Sequence, residues 1–139
     1  MCGITGSVWT DNSRRISREQ LECMTSSLSH RGPDDVGSFY LENDSGRDCP
    51  SVALGFRRLS IIDLQTGHQP ITNEDESVWL VFNGEIYNYL ELRDELKKDG
   101  HQFRTSSDSE VIVHLYEKYG TEMFQYLNGM FGLAIWDDN

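Results

Sequence analysis

The chain begins Met1-Cys2-Gly3-Ile4, a stretch that places a thiol one methionine away from the amino terminus. If Met1 is removed, Cys2 carries a nucleophilic side chain and a free α-amine on the same residue. A thiolate is a good nucleophile and an α-amine titrates near neutral pH, so one residue supplies both a nucleophile and a general base. The alternative interpretation is an incidental cysteine at a frayed terminus.

The composition is that of one globular domain. The chain has 139 residues, of which 37% are hydrophobic and 11% aromatic, which is enough to bury a core. Twelve basic against 23 acidic residues give a net charge of -11, and such a surface argues against nucleic acid and anionic membranes as partners. No apolar run is long enough to span a bilayer and no signal peptide is visible, so we expect a cytoplasmic protein.

The cysteines and histidines give no metal-binding or disulfide pattern. Cys2, Cys23 and Cys49 are too far apart in the sequence for a ligand pair or a disulfide framework, which predicts reduced thiols. The scattered His68, His101 and His114 are expected to be ordinary satisfied or solvent-facing histidines. The sequence therefore predicts no metal site.

Strands and helices are segregated along the chain. Capping boxes at Ser17 with Gln20 and at Ser107 with Glu110 predict two helix starts. Alternating and continuous apolar runs predict strands, and the predicted elements are strands at 4–9, 39–41, 51–56, 78–82 and 130–136 and helices at 18–29, 89–99, 108–119 and 121–127. This order favours an α+β fold with layered sheets. The turn residues at 137–139 directly follow a strand, so we expect the domain to continue beyond this sequence.

Three short motifs could carry chemistry, each with a structural alternative. Neighbouring Arg57 and Arg58 point to opposite faces of a strand, so one of them can hold a carboxylate in a pocket; the alternative is a pair of solvated edge charges. An Asn83 amide and a Gly84 N–H at a strand end can stabilise an oxyanion, although Asn-Gly is also a common hairpin turn. Asp108 lies in the first turn of a predicted helix, where an acid offsets the helix dipole. This structural explanation does not exclude a second role for Asp108.

The order of the motifs is more specific than any single one. The chain resembles glutamine-hydrolysing asparagine synthetases, over their class II glutamine amidotransferase domain, through these motifs: Met-Cys-Gly-Ile at 1–4, His-Arg-Gly-Pro-Asp at 30–34, Arg-Leu-Ser-Ile-Ile-Asp at 58–63, Asn-Gly-Glu-Ile-Tyr-Asn at 83–88, Ser-Asp-Ser-Glu at 107–110 and Gly-Met-Phe at 129–131. The resemblance covers residues 1–139 as one domain. It implies the four-layer αββα sandwich of N-terminal-nucleophile hydrolases, truncated at its C-terminal side and lacking the synthetase domain.

The resemblance also implies roles for individual residues. Cys2 would be the nucleophile, and Asn83 with Gly84 would form the oxyanion hole. The substrate pocket implied by the resemblance consists of Arg58, Leu59, Ser60, Ile61, Ile62, Asn83, Gly84, Glu85 and Asp108. In it Arg58 would bind the α-carboxylate of L-glutamine, and the two acids would bind its α-ammonium group. The motif at 30–34 would support the nucleophile without taking part in a chemical step.

In this family the ammonia released from glutamine amidates aspartate in a C-terminal synthetase domain. The resemblance implies ATP and Mg²⁺ only in that domain and no cofactor in the glutaminase domain. Two alternatives stay open, namely a glutaminase domain that serves another acceptor and a non-catalytic glutamine-binding domain. The sequence does not specify the oligomeric state, for which a homodimer is one expectation, and a retained Met1 would block the α-amine of Cys2.

Overall fold

A computed structural model describes residues 2–42, 50–60 and 66–139. Its strands and α-helices, in chain order, are β1 (Gly3–Trp9), α1 (Arg18–Ser27), β2 (Asp35–Leu41), β3 (Ser51–Arg58), β4 (Ile71–Thr72), β5 (Val78–Ile86), α2 (Tyr89–Lys98), α3 (Glu110–Tyr119) and β6 (Gly129–Asp137). Short 3-10 helices occur at Asn12–Arg14 and Gly120–Gln125. The segment 42–50, between the strands predicted at 39–41 and 51–56, lies mostly outside the described residues.

The strands form two antiparallel sheets of three strands. In the first sheet the order is β1-β3-β2, and in the second it is β4-β5-β6. The register of β1 on β3 pairs Gly3 with Arg57, so the start of β1 lies beside the end of β3. This register brings residues that are more than fifty positions apart in the sequence to the same edge of the sheet.

Apolar side chains join the two sheets and the helices into four layers. Trp9, Leu21 and Ala53 pack α1 against the outer face of the first sheet. Val52, Leu54, Phe56 and Val81 form the core between the sheets, while α2 and α3 cover the second sheet through a larger cluster that includes Leu80, Leu92 and Ile112. The layers are helix, sheet, sheet and helix, which confirms the predicted α+β sandwich.

One predicted helix cap is present and one is not. At α1, Ser17 and Gln20 form the capping box in both directions. At α3 the N-cap residue is Ser109 and its side chain makes no capping bond, so the predicted box starting at Ser107 was wrong. The reason is that Glu110 turns its carboxylate to the preceding loop, where it accepts backbone N–H bonds of 2.7 and 2.8 Å.

The strand predicted to end at residue 82 continues to Ile86. Asn83 pairs with Gly132 and Gly84 pairs with Phe131 of β6, so the dipeptide is neither a hairpin turn nor a strand end. In place of the short helix predicted at 121–127, the chain forms the 3-10 helix Gly120–Gln125, and the short β4 was not predicted. Within the described residues, no helix has the length and apolar character needed to cross a membrane.

Candidate active site

Cys2 lies at the start of β1, half-buried beside the end of β3. Its Sγ accepts a hydrogen bond from the backbone N–H of Leu59 at 3.4 Å and lies 3.7 Å from the Leu59 carbonyl oxygen. The pairing of Gly3 with Arg57 produces this contact, because it aligns the residue before β1 with the residues that follow β3.

The motif at 30–34 braces both segments that meet at Cys2. Arg31 Nε donates a hydrogen bond of 3.2 Å to the backbone carbonyl oxygen of Cys2. Asp34 Oδ2 accepts the backbone N–H of Ser60 at 2.7 Å. These two hydrogen bonds hold Cys2 and the segment that follows β3. The motif at 30–34 therefore lies beside Cys2, where the resemblance implies that it supports the nucleophile.

A cavity of about 200 Å³ opens at Cys2. The described residues that line it include seven of the site residues expected from the sequence: Cys2, Arg58, Leu59, Asn83, Gly84, Glu85 and Asp108. Arg58 is only 7% exposed, whereas Arg57 points to the other side and donates to the Gly32 carbonyl oxygen at 2.9 Å. The cavity therefore has a thiol, one buried guanidinium group and two carboxylates around a small volume.

Asn83 and Gly84 reach this cavity from β5. The Asn83 side chain forms no hydrogen bond with any described residue, and its Oδ1 is buried, so its amide is not used by the fold. A Cβ on Gly84 would lie 2.4 Å from the Met130 carbonyl oxygen and 2.6 Å from the Phe131 Cα. Glycine is required here because β6 passes too close for any side chain.

Asp108 is 6% exposed and accepts the Ile86 backbone N–H at 2.9 Å. Burial raises the pKa of this carboxyl group above its ordinary value, the hydrogen bond from Ile86 opposes the increase, and the nearby carboxylate of Glu85 adds to it. A cationic ligand placed between the two acids would relieve both the burial cost and their repulsion.

One predicted pocket residue is absent from the described lining of this cavity, and two lie outside the described residues. Ser60 uses its N–H for Asp34 and is not among the described lining residues, while Ile61 and Ile62 lie outside the described residues. The sequence interpretation missed Gln69, which is buried, lines the cavity and hydrogen-bonds both the N–H and the carbonyl oxygen of Phe82 at 2.7 and 3.2 Å. A single glutamine carries no local pattern that would have identified it.

The chain belongs to the family of glutamine amidotransferase domains, which matches residues 1–139. It is 44% identical over 142 residues to asparagine synthetase [glutamine-hydrolyzing] 1 of Bacillus subtilis, covering 100% of this chain and 21% of that protein. It is 43% identical over 137 residues to asparagine synthetase [glutamine-hydrolyzing] 2 of Arabidopsis thaliana, covering 99% of this chain and 22% of that protein. The chain thus spans about a fifth of the length of these relatives.

Among solved structures, the fold is similar to that of glutamine phosphoribosylpyrophosphate amidotransferase from B. subtilis. The TM-score is 0.72 at 21% sequence identity, over 97% of this chain and 35% of the other. This agreement supports the layered α+β fold, and the family match confirms the predicted glutamine amidotransferase domain.

Proposed function

We propose that this domain hydrolyses L-glutamine to glutamate and ammonia through a thioester on Cys2. The observation that carries the proposal is the convergence of Cys2, Arg58, Glu85 and Asp108 on one cavity of about 200 Å³. That volume is below the roughly 300–1,000 Å³ of sites for drug-sized ligands, as expected for a single amino acid. A zwitterionic amino acid carries a carboxylate that can pair with the Arg58 guanidinium group. Its ammonium group can pair with Glu85 and Asp108.

In the proposed first step, the Cys2 sulfur attacks the side-chain carboxamide carbon of glutamine. The α-amine of Cys2 takes the thiol proton through a water molecule as the sulfur attacks, and the Asn83 amide and the Gly84 N–H hold the oxyanion. The α-amine then gives this proton to the leaving nitrogen as the carbon–nitrogen bond breaks. Ammonia leaves and the thioester remains until water releases glutamate. Because both charged ends of glutamine would be bound, an analogue without one of these ends loses that interaction and should react more slowly.

We further propose that the ammonia is used to make asparagine from aspartate. The support is the similarity to proteins named glutamine-hydrolysing asparagine synthetases, of which this chain covers about a fifth. ATP and Mg²⁺ would then be needed by a synthetase domain and not by this one, in a cytoplasmic protein. The oligomeric state stays a prediction.

The glutaminase proposal is tested with the full natural protein after mass spectrometry has verified that Met1 is absent. Glutamate release from glutamine should fall to background in Cys2→Ala and should be retained in Cys23→Ala, since Cys23 is an exposed thiol on α1. Undiminished turnover in Cys2→Ala would sink the mechanism. Retained Met1 should also abolish turnover, because the α-amine is then part of a peptide bond.

Two further measurements separate the alternatives. Glutamine binding in a calorimeter without glutamate formation, by protein that lacks Met1, would favour a non-catalytic binding domain. For the acceptor, the full natural protein is assayed with glutamine, aspartate and ATP. Asparagine formation supports the synthetase proposal, while ammonia release that aspartate does not capture points to another acceptor.

A further inference from the structure

A second group of polar side chains lies outside the cavity, where three separate segments meet. Glu74 follows β4, His101 follows α2, and His114 with Glu117 are one turn apart on α3. One ligand atom from each of the four lies within 4.8 Å of the others. None of the four is among the described residues that line the cavity at Cys2.

We propose that four side chains of this chain bind one zinc ion: Glu74, His101, His114 and Glu117. The site is independent of the proposed function. With four protein ligands it would be closed, so its role would be structural and it would take no part in glutamine chemistry.

The spacing of the ligand atoms fits a tetrahedral ion. Zinc bonds of about 2.0–2.2 Å place neighbouring ligand atoms roughly 3.3–3.6 Å apart. His101 Nδ1 lies 3.6 Å from Glu74 Oε1 and 3.5 Å from Glu117 Oε2. His114 Nδ1 lies 3.5 Å from Glu74 Oε2 and 3.0 Å from Glu117 Oε2. Glu74 offers a different oxygen to each imidazole, and only one of them would bind the ion. With one atom from each residue, the four ligand atoms all lie within 4.8 Å of one another, so the widest spacing closes by about 1.2 Å at most when a zinc ion binds.

Neighbouring groups orient the ligands, as outer-shell partners do in metal sites. Asn73 Nδ2 donates to Glu117 Oε1 at 3.0 Å, which leaves Oε2 facing the two imidazoles. The Gln102 N–H donates to Glu74 Oε1 at 2.9 Å. His114 is 1% exposed, and its Nε2, which has no hydrogen-bond partner among the described residues, lies 3.9 Å from Glu110 Oε1. The second nitrogen of this imidazole therefore lies near a carboxylate but beyond hydrogen-bond distance. A zinc-bound histidine typically donates a hydrogen bond from this nitrogen, which here needs Glu110 and His114 to approach by about 1 Å.

The charge of the cluster also favours a divalent cation. No Lys or Arg of the described residues lies within ion-pair distance of Glu74 or Glu117. With neutral imidazoles the four side chains carry two negative charges, which one zinc ion neutralises.

The competing interpretation is an ion-pair network in which a protonated histidine supplies the positive charge. The test uses the full natural protein, stripped of metal and with its thiols alkylated because thiolates also bind zinc. Zinc is titrated against a chromophoric chelator. Glu117→Gln and Glu74→Gln keep the shape of each side chain and remove its charge, and Glu95→Gln, an exposed acid on α2, is the matched control.

We expect one zinc ion per chain, with affinity lowered about 10–100-fold or more in each ligand variant and unchanged in Glu95→Gln. In the unaltered protein, long-range ¹⁵N NMR should show the Nδ1 signals of His101 and His114 shifting when zinc is added. Absence of stoichiometric zinc would overturn the site. Equal affinity in the unaltered protein and in both ligand variants, or Nδ1 signals that zinc does not move, would also overturn it and assign the cluster to a protonated histidine.

Discussion

At the scale of single residues, Asp108 shows how a binding group is held at a cost to stability. The carboxyl group is 6% exposed and lies near a second acid, Glu85, so its ionised form is disfavoured in the folded chain. The hydrogen bond from the Ile86 N–H offsets only part of this cost. A residue of this kind is explained by the ligand it would hold and not by the fold alone.

Asp108→Asn should therefore stabilise the protein at pH 7 and weaken glutamine binding. Asparagine keeps an oxygen for the Ile86 N–H and removes the buried charge. The pKa of Asp108 is raised above its ordinary value of 3.8, so its contribution to stability is most favourable below pH 3.8 and is lost as the pH rises through the folded-state pKa. The gain in Tm from Asn should be largest at neutral pH and should shrink as the pH falls towards 3.8.

The measurement is calorimetric unfolding across this pH range, with glutamine KM determined at pH 7. Asp94→Asn, on the exposed side of α2, is the control and should change neither quantity by much. We expect KM to rise about tenfold or more in Asp108→Asn, because a charged partner of the ligand is lost. A Tm that falls at pH 7 would contradict this account of Asp108.

At the scale of elements, the extension of β5 to Ile86 sets the positions of the proposed oxyanion donors, Asn83 and Gly84. Pairing with β6 holds Asn83 and Gly84 in a strand and not in a turn. The close passage of the Met130 carbonyl oxygen leaves no space for a side chain at Gly84. The position of the proposed oxyanion hole thus depends on the tight contact of two strands.

Gly84→Ala should lower the free energy of unfolding by about 1–3 kcal/mol, because the new methyl group meets backbone atoms that cannot move aside cheaply. The matched control is Gly132→Ala on β6, where a Cβ would meet nothing within 4 Å; there we expect a change within about 0.5 kcal/mol. Urea unfolding of both variants measures the difference. Equal effects of the two substitutions would show that the close approach of β6 is not what requires glycine at position 84.

At the scale of the whole molecule, the interior between the sheets holds the cavity walls together. Phe56 belongs to this core and also lines the cavity, and Leu54 packs beside it. The helices lie on the outer faces of the sheets, so the site is built almost entirely at sheet edges and at the start of α3. Loss of packing between the sheets should therefore affect both halves of the site.

Leu54→Ala should cost about 2–5 kcal/mol of stability and should weaken amide protection against hydrogen exchange in both β3 and β5. Val36→Ala, at a side chain that is 52% exposed on β2, should cost less than about 1 kcal/mol. Hydrogen exchange of the full natural protein, followed by mass spectrometry, reports the two strands separately. Loss of protection confined to β3 would mean that the two sheets do not open together.

Much of the local structure was predictable because its causes lie within a few residues. The Ser17 capping box, the helix predicted at 89–99 and the opposite orientations of Arg57 and Arg58 follow from hydrogen bonds and periodicity along neighbouring positions. The sequence also predicted the family, through the order of its motifs. By contrast, the end of β5 was predicted wrongly because the pairing with β6 extends it.

The sequence by itself therefore determined the class of fold, the family and most element starts, since short-range patterns encode each of these. Only the tertiary structure decided which distant residues meet. The contact of Cys2 with Leu59 spans 57 positions, Gln69 reaches the cavity from a loop, and His114 gathers carboxylates from separate segments. Such contacts depend on the strand register that buries the inner faces of both sheets. That register is determined by the packing of the whole core and not by any one stretch of sequence.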